Sequence, residues 1–413
     1  MTIAEPLVFN PLDPAFRVNP YPTYKRLLQE APVYQTVFGV PAFSRYDDCQ
    51  LLMKDHKHFS NDDRKSPFYG AQREAFTTAL GDYADQVNQN DRPFLFMDPP
   101  DHTRLRRLVN LAFTPRAVEA LRPRIQAIVD ELLDAVASKG EMEVINDLAY
   151  PLPVRVICEM LGVPEEDHPE FSRWSKVLVK SLDPDIGVAP EELQRRAKAI
   201  GESKEYFRGL IARRRQDPRD DILSALIAAE EEGDKMDETE LISISRLILV
   251  AGHETTVNLI GNAVFQMLKH PEALALFQSD PRKHARGVTE EVLRCDPPVQ
   301  FNGRLCVEST EVGGSKIEAG QFVLMLLGAA NRDPAKFENP DLFDITRNDD
   351  RHLAFGYGIH FCLGAPLARA EGEIALRTMA ERFSDWRLLA EPVYKEMITL
   401  RGLDSLRVGF KAA

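Results

Sequence analysis

Cysteine is scarce in this chain: Cys49, Cys158, Cys295, Cys306 and Cys362 are the five in 413 residues. Their number is odd and no two form a Cys-x-x-Cys pair, which excludes a disulfide framework and a structural zinc site and points to a reducing compartment. No run reaches the roughly 18 consecutive apolar residues that a spanning helix requires. The opening stretch Met1 to Pro14 carries Glu5 and Asp13 and has no apolar core behind a basic stretch, so it reads as neither a secretory signal nor a membrane anchor, and a cytoplasmic location is expected. Positive charge is outnumbered, 51 Lys and Arg against 64 Asp and Glu for a net charge of −13. Such a balance disfavours nucleic acid and anionic membrane surfaces as partners. Repeats, low-complexity tracts and Gly/Ser linkers are missing too, so one domain over residues 1–413 is the simplest organisation.

What is present suits a large packed core, with 44% hydrophobic and 28% charged residues. The opening predicts a helix over Pro20 to Glu30, extended segments from Val33 to Arg45 broken by Gly39 and Pro41, and a helix over Tyr46 to Lys54. Beyond Pro100 helices dominate. They are expected over Asp101 to Phe113, Ala117 to Lys139, Val154 to Leu161, Pro169 to Ser181, Glu191 to Arg215 and Asp220 to Glu232. Arg304 to Leu326 alternates apolar and polar residues around Gly313-Gly314 and Gly320, as hairpin strands do. The fold class is therefore mainly α with small β-sheets. The longest helix starts at a capping box of Asp237 and Glu240 and runs to His270, just before Pro271. Its middle carries Ala251-Gly252-His253-Glu254-Thr255-Thr256, a polar interruption in an otherwise buried run.

Phe355 to Gly364 is a glycine-rich loop that delivers Cys362 to the start of a helix. Glycines let the backbone turn tightly and bring N–H groups toward the sulfur, and the helix N-terminus favours a thiolate. An isolated loop of this kind also fits a buried structural cysteine, since free cysteines are most often small buried hydrophobes. Glu291-Val292-Leu293-Arg294 places a carboxylate and a guanidinium on one helix face; alone, such a pair usually sits on a solvated surface.

Phe355-x-x-Gly-x-His-x-Cys-x-Gly364 resembles the haem-binding signature of the cytochrome P-450 family, and Glu291-x-x-Arg294 followed by Phe343-Asp344-x-x-Arg347 resembles the buried triad that precedes it there. The resemblance implies the fold of that family, with haem b between the long helix and the cysteine loop and Cys362 as the iron ligand. A haem thiolate favours O–O cleavage. It also implies His102, Arg106, Arg304 and His360 as donors to the haem propionates, with Ala251, Phe355, Gly356 and Gly364 also against the haem. Gly252 would leave room for the macrocycle. Glu254 and Thr255 would guide protons to dioxygen, Thr255 bonding back to the Ala251 carbonyl and loosening the helix there.

The implied substrate wall is Phe94, Leu95, Val250, Ala251, Val299, Gln300, Phe301, Asn302, Ile398, Thr399 and Leu400, with Gln300 and Asn302 as amides that could bind a hydroxyl or carbonyl. By the same resemblance the chain is a monomeric monooxygenase. It would take O2, a mostly apolar small molecule, and electrons from a ferredoxin or flavodoxin with its NAD(P)H reductase. Arg104, Arg107, Arg116, Arg122 and Arg124 would steer that acidic partner, although a solvated basic face is equally consistent with them. A peroxide-driven peroxygenase is disfavoured by Glu254-Thr255, a haem sensor by the lack of an output domain, and a haem-free cysteine nucleophile by the lack of a suitably placed His and Asp.

Overall fold

The helix Glu238–Lys269 organises the molecule. Both halves of the expected capping box form, Asp237 accepting from the Glu240 N–H and Glu240 from the Asp237 N–H. At 1.5 Å per residue its 32 residues span about 48 Å. Residues from Leu241 to Met267 are buried on nearly every side, as a helix that crosses a core requires. The helices Pro151–Met160, His168–Leu178, Pro190–Gln216, Pro281–Cys295 and Ala365–Arg382 pack around it. The computed structural model describes residues 6–87, 91–185, 187–231 and 233–412. Met1 to Glu5 of the opening stretch, and Glu232 at the end of one expected helix, lie outside the described residues.

More than half of the chain is helical, and the strands form small sheets. The largest runs in the order Val33–Gln35, Pro41–Phe43, Phe322–Met325, Asn302–Cys306, Phe59–Ser60, with one parallel pair between Pro41–Phe43 and Phe322–Met325. The expected Arg304 to Leu326 hairpin is there: Asn302–Cys306 pairs antiparallel with Phe322–Met325, and a smaller hairpin turns at Gly313 and Gly314, both at positive φ. A three-stranded sheet gathers Phe383–Leu388, Arg407–Ala412 and Glu141–Glu143.

Three differences from the sequence reading have local causes. The helix expected over Asp220 to Glu232 stops after Ile222–Ala228, because Glu230–Glu231 leaves it to pair with Asp234–Lys235 through a turn at Gly233, φ 81°. Pro169 to Ser181 divides into an α-helix, His168–Leu178, and a tighter 3₁₀ turn, Val179–Leu182. The helices Tyr69–Leu80 and Pro271–Ser279 were not anticipated; the first buries only Leu80 and so carries a weak apolar stripe.

Candidate active site

Cys362 sits at the junction of loop and helix that its sequence context requires. Gly356 and Gly358 hold φ of 72° and 74°, and a Cβ on Gly358 would come within 2.8 Å of the Met53 carbonyl oxygen. Those turns return the chain so that the Cys362 N–H donates to the Phe355 carbonyl at 2.9 Å. The helix Ala365–Arg382 follows at once. Burial pushes the Cys362 thiol up, although the Gly364 and Ala365 N–H groups and the charges of Arg106 and Arg369 pull the other way. The lowering expected from the helix N-terminus is thus real but outweighed, and a bound metal ion is what would deprotonate this thiol.

The loop is braced from behind by a cluster the sequence reading missed. Glu290 accepts from Arg369 at 2.6 and 3.0 Å and lies 3.0 Å from His352 Nε2, while the Arg369 guanidinium lies 4.6 Å from the Phe355 ring centre. Burial alone would raise the Glu290 carboxyl, yet hydrogen bonds from His352 and Arg369 hold it down at about 2. The neighbouring triad forms as expected. Arg294, fully buried, donates to both Glu291 oxygens at 2.7 and 2.8 Å, and Arg347 reaches Glu291 at 3.2 Å. Further Arg294 donors reach the carbonyls of Asn331, Pro340 and Leu342.

His102, Arg106, Arg304 and His360 form a second group. The imidazoles of His102 and His360 lie 4.2 Å apart, and three of their nitrogens, both of His102 and Nδ1 of His360, are buried without a hydrogen-bond partner. Burial and Arg106 pull His102 down to about 4; burial, His102 and Arg304 pull His360 down to about 3. Arg304 is 4% exposed and, among the described residues, hydrogen-bonds only to Asn302 and the Gly303 carbonyl, and burial lowers it to about 10. Buried cations and orphaned imidazoles are costly unless anions meet them. Two carboxylates are the complement of this donor set, so the residues present fit the propionates of haem.

The polar break in the central helix is built as expected at Thr255, whose hydroxyl donates to the Ala251 carbonyl at 2.9 Å. Glu254 is 4% exposed and ion-paired with Lys395, which arrives from the C-terminal hairpin. His253 is fully buried, with Nδ1 2.6 Å from the Ser175 hydroxyl and its ring edge-on to Tyr150. Burial, Lys395 and Lys176 lower His253 to about 3, so it is neutral at physiological pH. A Cβ on Gly252 would meet Ile157 at 2.8 Å, so the glycine also admits the helix Pro151–Met160.

Across from this break, Glu371 has both carboxyl oxygens buried and unpaired. Burial pushes it up to about 8 from an ordinary value of 4.5, with the Thr256 hydroxyl opposing. The folded state therefore keeps a proton that the unfolded chain releases, and stability should fall as pH rises from about 4.5 to 8. The effect is about 5 kcal/mol at most. Glu371→Gln should flatten the fall of melting temperature with pH across that window; equal slopes in variant and parent would show an ionised carboxylate.

The expected substrate wall is partly assembled. Val299 bridges Leu400, and the Gln300 N–H donates to the Thr399 carbonyl, so the two wall segments lie side by side. Phe94 packs on His102 and under Arg106, Leu95 is tied through its carbonyl to Asn61, and Val250 packs against the main core. Gln300 and Phe301 are corrections. The Gln300 amide accepts from Tyr24 at 3.1 Å and donates to the Pro297 carbonyl at 2.7 Å, and Phe301 stacks edge-on to Phe9, so both are spent on the N-terminal segment. Asn302 Oδ1 is engaged by its neighbours Gly303 and Arg304. Ile398 and Thr399 are held by their N–H groups on the Asp183 carboxylate. The basic patch is also weaker than its arginine count: Arg104 pairs with Asp234 and Glu240, Arg122 with Glu119 and Glu373, and Arg124 with Glu159.

The family profile described as Cytochrome P450 matches residues 46–388. The chain is 42% identical to Cytochrome P450 107B1 of Saccharopolyspora erythraea, covering 96% of each chain. It is 41% identical to the 6-deoxyerythronolide B hydroxylase of the same organism, over 95% of this chain and 96% of that one. The crystal structure of ligand-free Mycobacterium smegmatis CYP164A2 superposes with a TM-score of 0.86 at 44% identity, covering 97% of this chain and 98% of the other. By that profile match and those identities, the chain belongs to the cytochrome P450 family of haem b monooxygenases, which act on small molecules with O2 and a redox partner.

Proposed function

We propose that this chain, as one domain over its whole length, hydroxylates a mostly apolar small molecule. Its electrons come from a separate ferredoxin or flavodoxin served by an NAD(P)H reductase, and it works as a cytoplasmic monomer. The carrying observation is the Thr255 hydroxyl bonded to the Ala251 carbonyl beside buried Glu254, in the middle of the central helix. Bound haem would supply reductive activation of dioxygen, one atom entering the substrate and the other leaving as water. Cys362 would hold the iron, and His102, Arg106, Arg304 and His360 would anchor the propionates. Ala251, Phe355, Gly356 and Gly364 would complete the contact.

Glu254 and Thr255 then move protons from solvent toward the reacting oxygen. Phe94, Leu95, Val250, Ala251, Val299, Ile398 and Leu400 offer an apolar wall. Gln300 is committed internally through both ends of its amide, and Asn302 through its Oδ1, which leaves the Asn302 amide nitrogen as the polar donor of that wall. The relative whose name is a hydroxylase supports this reaction type.

A library of lipophilic compounds should contain members that displace iron-bound water and shift the Soret band of the purified protein; failure of every one would count against the wall. With such a compound as substrate, Thr255→Ala should keep its haem yet lose about tenfold or more of its product per NAD(P)H consumed, the balance appearing as peroxide. Unchanged coupling would remove Thr255 from the relay.

A further inference from the structure

In the N-terminal half of the central helix, one carboxylate lies between two cations. Asp91 pairs with Arg246 of that helix at 3.1 Å and with Lys204 of the helix Pro190–Gln216 at 2.7 Å. All three side chains are shielded, Asp91 at 4% exposure and Arg246 and Lys204 at 15% and 16%. Among the described residues neither cation has a second carboxylate within ion-pair distance, so the cluster holds one positive charge in excess. Burial pulls the Arg246 guanidinium down, against the opposing charge of Asp91. A cation shielded from water is costly unless an anion meets it.

Arg246 gives Asp91 only Nη1. Its Nε is buried without a hydrogen-bond partner among the described residues, and its Nη2 makes no bond to them either. Nε and Nη2 together form the edge by which a guanidinium grips a carboxylate with two parallel bonds. Elsewhere in this chain that edge is used: Arg294 offers it to Glu291 and Arg369 to Glu290. On Arg246 it is open. The Ser243 hydroxyl, on a residue 3% exposed, is a further buried polar group without a partner among the described residues. Ser243, Arg246 and Val250 follow one another at spacings of three and four, which puts them on one face of the helix. Val250 belongs to the apolar wall, and Phe94 and Leu95 of the same wall come shortly after Asp91 in the chain.

We propose that Arg246, with the Ser243 hydroxyl beside it, anchors the carboxylate of an otherwise apolar substrate, while Asp91 holds the guanidinium in place through Nη1. The bound carboxylate takes the Nε and Nη2 edge and neutralises the excess charge of the cluster. Lys204 is a poorer anchor, because its ammonium is already shared between Asp91 and the Gln86 carbonyl. The position of Arg246 also sets where oxidation falls. Thr255 comes nine positions later in the same helix, about 14 Å further along its axis. A linear acid gripped at Arg246 runs past Val250 and Ala251 with its carboxyl end farthest from Thr255, so the oxidised carbon lies in the distal half of the chain.

This inference rests on the pocket proposed above, and the test separates the two. Soret shifts of the haem-loaded protein are titrated at neutral pH with dodecanoate and with methyl dodecanoate, which shares the chain and lacks the charge. The parent should bind dodecanoate about tenfold or more tightly than the ester. Arg246→Gln should abolish that preference by weakening dodecanoate alone, the unchanged ester showing that the pocket is intact. Arg246→Lys keeps a charge for Asp91 and should fold where Arg246→Gln does not; without the two-bond edge it should lose most of the preference as well. Ser243→Ala should weaken dodecanoate about threefold or more and leave the ester alone. With electrons supplied, the parent should hydroxylate dodecanoate in its distal half. Equal affinity of the parent for acid and ester, a preference that survives both Arg246 variants, or hydroxylation next to the carboxyl group overturns the anchor. Silence from both compounds while other lipophilic compounds shift the band overturns it too; silence from every compound strikes the pocket itself.

Discussion

Cys362→Ala should yield a folded protein whose reduced, carbon monoxide-treated form lacks the red-shifted Soret band of a thiolate-ligated haem, and whose monooxygenase activity is lost completely. The fold should survive because the shape of the loop depends on Gly356, Gly358 and the backbone bond from Cys362 to Phe355, none of which involves sulfur. The spectrum should not, because no second thiol can substitute. Cys158 and Cys295 are buried in apolar surroundings that push both thiols up to about 12. Cys49 and Cys306 lie in the sheet cluster around Phe43 and Phe59. Cys158→Ala and Cys295→Ala are therefore expected to leave the band in place. A parent-like spectrum in Cys362→Ala would remove the basis for every role assigned around the loop.

Arg294→Ala should destabilise the protein by about 3–5 kcal/mol, read as a lower urea midpoint and as haem loss during purification. The size follows from what the substitution leaves behind. Glu291, 2% exposed, would lose its two strongest bonds and be buried as a charge with only Arg347 and the Asp344 N–H. The carbonyls of Asn331, Pro340 and Leu342 would lose their Arg294 donors at the same time. Arg294→Lys should recover little, since one ammonium group cannot span a carboxylate and three carbonyls that a planar guanidinium reaches together. Arg347→Ala should cost less, because its side chain is partly exposed and makes a single 3.2 Å contact with Glu291. A midpoint indistinguishable from the parent in Arg294→Ala would mean that the triad is not what holds the segment before the cysteine loop.

The parts legible in the sequence are those whose chemistry is local. The capping box of Asp237 and Glu240, the Thr255 to Ala251 bond, the glycine turns before Cys362 and the Glu291 and Arg294 pair each lie within four residues or so, and all are present. What could not be read depends on distant partners. Nothing in the neighbourhood of Lys395 marks it as the mate of Glu254, and nothing around Gln300 marks Tyr24 as the hydroxyl that occupies its amide. The Glu290 and Glu291 doublet held a usable clue. Two adjacent helical carboxylates point about 100° apart, so if one serves Arg294 the other must find its own partners, which are Arg369 and His352. Gly252 shows the limit of a local signal: a glycine in a buried helix marks close approach without naming what approaches, and Ile157 is one such neighbour.

The N-terminal segment is fastened by residues that come late in the chain. Arg401 donates to the carbonyls of Arg17 and Val18 and pairs with Asp296 at 2.7 Å, and Tyr21 donates to that same aspartate. These contacts bridge 384, 383, 105 and 275 positions. During synthesis the first helices can form on the ribosome, but they cannot dock until residue 401 has emerged, so they wait for most of translation with Tyr21 and Tyr24 uncovered. Maturation of this protein is accordingly a race between the arrival of one arginine and the capture of an early aromatic segment by chaperones or by another nascent chain.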